Sequence, residues 1–137
     1  MVYARTSFIN STADPVTTYI RARQPGGAQA LCVEDTVKIW AHFNGCNKSP
    51  EVQEIHGING STVVSVFTYV SCQNHSQVKL YRIEGGGHVW PGEPDDLSPS
   101  GVGSRRSEID ASEEIWKFFS SMDQAINSGI QANSGRD

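Results

Sequence analysis

"VKLYRIEGGGHVWPG", residues 78–92, decides how this chain is expected to fold. Val78, Leu80, Tyr81 and Ile83 follow strand spacing through its first half, and three successive glycines, Gly85, Gly86 and Gly87, end the run. His88 comes next, followed by a Trp90-Pro91-Gly92 turn. A strand that runs into backbone of such freedom hands its next side chain to a loop at the edge of a sheet. The stretch therefore predicts a sheet that displays a histidine at the end of one strand.

Working upstream, "EVQEIHGINGSTVVSVFTYV" carries alternating apolar residues on either side of Asn59-Gly60, a dipeptide that accepts the positive φ of a two-residue turn. It predicts a β-hairpin. In "VEDTVKIWAHF", Val33, Val37, Trp40 and Ala41 recur at helical spacing and Asn44-Gly45 supplies a stop, so a helix with its Trp40 face buried is expected. "YIRARQPGGAQA" is a polar loop, and before it "RTSFIN" is a short strand that ends in "STADPV", where Asp14 precedes Pro15 in a turn.

Downstream of His88, "HVWPGEPDDLSPSGVGSRRSE" is longer than an ordinary connection, which favours a functional role. "EIDASEEIWKFFSSMDQAI" predicts a closing amphipathic helix packed on the sheet. Ile109, Ile115, Trp116, Phe119, Met122 and Ile126 lie near one face, and Asp110, Glu113 and Glu114 sit where the helix dipole favours acids. Trp40, Trp116 and Phe119 are expected in the core. The length of 137 residues bounds one domain, 1–126, with a polar tail at 127–137 left unstructured.

A hydrophobic share of 37% is that of a folded protein, and a net charge of −4 gives no electrostatic case for nucleic acid or an anionic membrane. No apolar run has the length of a membrane span, and "MVYARTSFIN" lacks the plan of a secretion signal. Three cysteines leave at least one thiol over from any intramolecular pairing. His42 and Cys46, then Cys72 and His75, form H-x3-C and C-x2-H pairs that suit tetrahedral zinc, but the long strand-like segment between them does not match known zinc modules. No metal and no cofactor are expected, with a small zinc module kept as an alternative. Four N-x-S/T sequons, at Asn10, Asn47, Asn59 and Asn74, carry little weight in a chain so rich in Ser and Thr.

A strand ending in an acidic turn, a helix, and a later strand ending in a histidine loop follow a known order. In α/β-hydrolases the triad runs nucleophile, acid, histidine, with acid and histidine on loops after sheet strands. Asp14 and His88 fit the second and third places. The acid must accept the imidazole Nδ1 proton from a fixed loop, leaving Nε2 free to face a nucleophile.

At these residues the chain resembles the secreted esterase family that includes polyhydroxybutyrate depolymerases and related feruloyl and acetylxylan esterases. "STADPVTTY" resembles its acid loop, with Ser11 where the family carries Gly and Thr18 where it carries Pro. "GGGHVWPG" resembles its histidine loop, "WAHFNGC" and "YVSC" its two cysteine segments, and "DASEEIWKFF" its closing helix. The resemblance runs from about Phe8 to Phe119. It implies the C-terminal portion of an α/β-hydrolase fold with a β-hairpin insertion, acting on carboxylic esters of polyesters or plant cell-wall polysaccharides. It further implies Asp14 as triad acid, His88 as general base and then acid, a disulfide between Cys46 and Cys72 with Cys32 free, and Trp90 as part of the substrate wall. The parent protein is then expected to be extracellular.

No G-x-S-x-G occurs in the 137 residues, so the nucleophile elbow and its oxyanion-hole strand are expected in a preceding, N-terminal half of a longer enzyme. The isolated chain is expected to be inactive and, with a sheet edge uncovered, to self-associate. The alternative class is a non-catalytic module that binds acyl or sugar ligands through Trp90.

Overall fold

The chain forms a four-stranded mixed sheet between two helices, seen in a computed structural model that describes residues 3–20, 30–57, 63–93, 103 and 108–121. In chain order the elements are β1 (Thr6–Ser11), α1 (Val33–Phe43), β2 (Glu51–His56), β3 (Val63–Tyr69), β4 (Val78–Ile83) and α2 (111–121). The strands lie in the order β1-β4-β3-β2. β1 runs parallel to β4, with Thr6 opposite Val78 and Ser11 opposite Ile83, while β4–β3 and β3–β2 are antiparallel. The first and last strands thus lie side by side and deliver their following loops to the same end of the sheet.

Because β4 is covered on both faces, four of its six residues, Val78, Leu80, Tyr81 and Ile83, are apolar and buried. Val78 and Leu80 face α1, where Val37, Ala41 and Tyr69 complete a core joined by Phe8 and Phe67. Tyr81 and Ile83 face the other way, against Val64, Val66 and Ile109. On that side the Tyr81 hydroxyl donates to Glu114 of α2 at 2.7 Å, and the Arg5 guanidinium lies 4.5 Å over the buried Phe118 ring.

α1 begins at Cys32, whose Sγ accepts from the Asp35 N–H, with Glu34 and Asp35 in the first turn. It ends where the sequence places its stop. Gly45 takes φ +63°, and the Asn44, Gly45 and Cys46 N–H groups donate back to Trp40, His42 and Ala41. Asn44 is fully buried: its side chain accepts from the Ala4 N–H and donates to the Ala4 carbonyl, replacing a strand partner ahead of β1. Cys46 and Cys72 form a disulfide beside it, Cys32 remains free, and the Gln73 N–H donates to the Asn44 carbonyl. Both sulfurs that the zinc alternative needs are consumed by this bond.

Two expectations about the helices require correction. α1 turns the expected face to the core, with Val37 and Ala41 buried and Val33 packed beside them, but Trp40 at the edge of that face stays 37% exposed. α2 buries Ala111 and Phe118, while Trp116 is 73% exposed and Phe119 is also exposed. A short helix against a twisted sheet inserts a narrow seam of side chains, and aromatics flanking that seam stay outside. The hairpin pairs β2 with β3 from Glu51 opposite Thr68 to His56 opposite Val63; Asn59-Gly60 lies outside the described residues, as do the tail 127–137, most of 94–107, and Met122 and Ile126. Among the described residues no helix is long and apolar enough to cross a membrane.

Candidate active site

The loops after β1 and β4 are joined rung by rung beyond the sheet. The Thr12 N–H donates to the Ile83 carbonyl at 2.9 Å and the Ala13 N–H to the Gly86 carbonyl at 3.1 Å. The Thr12 hydroxyl accepts from the Gly85 N–H at 2.8 Å and donates to Glu84 at 3.2 Å. Two of the three glycines have distinct reasons to be there. Gly85 adopts φ +67°, which favours glycine, and a Cβ on Gly86 would stand 2.7 Å from the Ser11 hydroxyl. The chain can turn at 85 and approach β1 closely at 86 only because both lack a side chain.

Asp14 and His88 meet across this seam. Asp14 Oδ2 lies 2.8 Å from His88 Nδ1. The other carboxylate oxygen, Oδ1, accepts the Val16 and Thr17 N–H groups, each at 2.7 Å. This turn, opened by Asp-Pro, fixes the carboxylate before any partner arrives. The Asp14 side chain is only 11% exposed, against 48% for His88. Partial burial by itself would raise the Asp14 carboxyl. The hydrogen bond from His88, the two backbone N–H groups and the imidazole charge outweigh it and hold the carboxyl below its ordinary value.

A carboxylate carries no proton, so in the neutral imidazole Nδ1 is the donor and Nε2 keeps its lone pair. Among the described residues no hydroxyl or thiol bonds Nε2. The pair borders a cleft of about 270 Å³ lined by Ile9, Asn10, Ser11, Thr17, Val89 and Trp90, among others. Trp90 is half-exposed, and its indole N–H donates to Ser112 of α2 at 3.1 Å. The Ala111 N–H donates to the Pro91 carbonyl, so the Trp-Pro-Gly turn is fastened to the start of α2.

The structure therefore brings together Asp14, His88 and Trp90, and places Cys46 and Cys72 at the opposite end of the sheet. Sequence reasoning passed over Thr12, Glu84 and Arg82, whose contacts span the two loops. The arrangement can position an imidazole, orient its tautomer and stabilise it when protonated, which are the roles of the last two members of a hydrolytic triad. Among the described residues no cluster of three or more His, Cys, Asp or Glu side chains could hold a metal ion. No family model, curated protein or solved structure matches the chain.

Proposed function

We propose that this chain supplies the acid and histidine of a serine esterase of the α/β-hydrolase type, Asp14 orienting His88 and His88 acting as general base and then general acid. One observation carries the reading: a carboxylate and an imidazole 2.8 Å apart on the loops that follow two adjacent parallel strands. The chain order of the two residues, acid before histidine, agrees with that of the triad in that architecture. The serine would come from a G-x-S-x-G segment outside these 137 residues, the missing N-terminal half, docking along the outer edge of β1. Trp90 would then form one wall for the acyl or leaving group of a polyhydroxyalkanoate, feruloyl or acetyl ester. The Cys46–Cys72 disulfide favours an oxidising, extracellular setting. Among the described residues no strand pairs with the outer edge of β1, which supports self-association of the chain by itself.

Ester hydrolysis tests this. Extending the reading frame upstream is expected to bring in G-x-S-x-G, and the extended protein is expected to cleave a p-nitrophenyl ester. His88→Ala should lower its kcat by on the order of 10⁴-fold or more. The 137-residue chain should show no turnover. An extended protein without hydrolysis, or one indifferent to His88→Ala, would overturn the reading. Turnover by the short chain that His88→Ala abolishes would place the nucleophile within it and refute the missing half.

A further inference from the structure

We propose that Arg82 is the positioning residue of the Asp14–His88 pair, closing a belt of polar contacts that holds both ends of the acid loop. Arg82 lies on β4, between the sheet core and the histidine loop. Its Nε pairs with Glu84 Oε1 at 2.6 Å, and Glu84 Oε2 accepts the Thr12 hydroxyl, two residues ahead of Asp14. Its Nη1 pairs with Glu34 Oε1 at 3.3 Å, and Glu34 accepts the Tyr19 hydroxyl at 3.4 Å, five residues beyond Asp14. The belt thus grips the acid loop at Thr12 and again at Tyr19, where the Tyr19 carbonyl also accepts the Val33 N–H of α1. The guanidinium spreads its charge over several atoms, so it donates Nη1–H to Glu34 while Nε stands at ion-pair distance from Glu84; a lysine at 82 would offer a single point charge. The Thr12 hydroxyl also accepts from the Gly85 N–H, so the same belt sets the turn that leads to His88.

Arg82 touches neither Asp14 nor His88, and acts on them through Thr12 and Tyr19. The inference rests on reading Asp14 and His88 as an acid–base pair, but its test needs no ester turnover. In neutral histidine the Nδ1–H tautomer is held by the Asp14 bond, and its population reports how well the two loops are registered. Long-range ¹H–¹⁵N correlation spectra of the folded 137-residue chain, at a pH where the imidazole is neutral, measure it directly. Asp14→Ala sets the scale for loss of the bond.

Thr12→Val and Arg82→Met should each shift the His88 tautomer ratio toward Nε2–H by roughly fivefold, while Thr12→Ser keeps the wild-type ratio. His42, His56 and His75 serve as internal controls and should not change. If Arg82→Met does not fold, Thr12→Val against Thr12→Ser decides alone. A wild-type ratio in Thr12→Val would overturn the belt while leaving the esterase reading standing. A wild-type chain already dominated by Nε2–H would instead defeat the acid–base pair itself.

Discussion

The two ends of the sheet solve the same problem, tying the first strand to the last, in opposite ways. At the end where β1 and β4 begin, the buried Asn44 side chain satisfies both polar groups of Ala4, and a covalent bond joins Cys46 to Cys72. At the end where they finish, the loops are tied by hydrogen bonds and ion pairs, and His88 lines a cleft. Polar groups that satisfy one another completely rigidify a fold and leave nothing over for chemistry. A site needs a fixed group with one valence unspent, and the His88 end has it. The difference predicts that stability resides at one end and reactivity at the other.

The largest effect on stability is expected from the disulfide. Cys46 and Cys72 are 26 residues apart, and opening a loop of that length should cost about 3 to 4 kcal/mol by the chain-entropy estimate. Urea unfolding of the oxidised and reduced chain measures it. His88→Ala in the same assay should cost under about 1 kcal/mol, since the ring is half-exposed and its ion pair is screened. A larger loss from His88→Ala than from reduction would reverse the comparison.

Asn44→Ala comes next. It leaves the Ala4 N–H and carbonyl without their partner, and the expected loss is about 2 to 3 kcal/mol. Gly86→Ala at the other end should cost about 1 to 3 kcal/mol, because the new methyl would meet Ser11 Oγ at 2.7 Å. Ser11→Gly should recover part of that loss in a double-mutant cycle. Without coupling, the close approach of the two loops would not be what requires glycine at 86.

Much of this was legible in the sequence, for identifiable reasons. β4 and the turn after it could be placed because alternation and three glycines are local signals, and the α1 terminus because Asn-Gly at a helix end has one conformational meaning. Asp14 and His88 could be paired because each ends a strand in the chain order that a hydrolase triad gives its acid and histidine. The buried face of α2 was misread for a physical reason. In "EEIWKFF" apolar residues occupy 115, 116, 118 and 119, so periodicity fixes no phase, and the fully buried Ala111 carries too little hydrophobicity to set one. The Arg82 contacts were invisible because ion pairs joining residues 34, 82 and 84 follow no local period.

The smallest effect separates the two ends by pH. The Asp14 carboxyl lies below its ordinary 3.8, because the bonds from His88, Thr17 and Val16 and the imidazole charge outweigh its partial burial. A carboxyl that is more acidic in the folded than in the unfolded chain stabilises the fold above its unfolded value, near 4, and loses that contribution as the pH falls through the folded value. The stability gap between wild type and Asp14→Asn should therefore shrink as acid is added below about pH 4. Urea midpoints measured in parallel across that range would detect it. A gap that stays constant would mean that Asp14 keeps no lowered carboxyl in the fold. The gap between wild type and Asn44→Ala should stay level over the same range, because an amide does not titrate. Acid should thus loosen the end that carries the imidazole before the end closed by the disulfide.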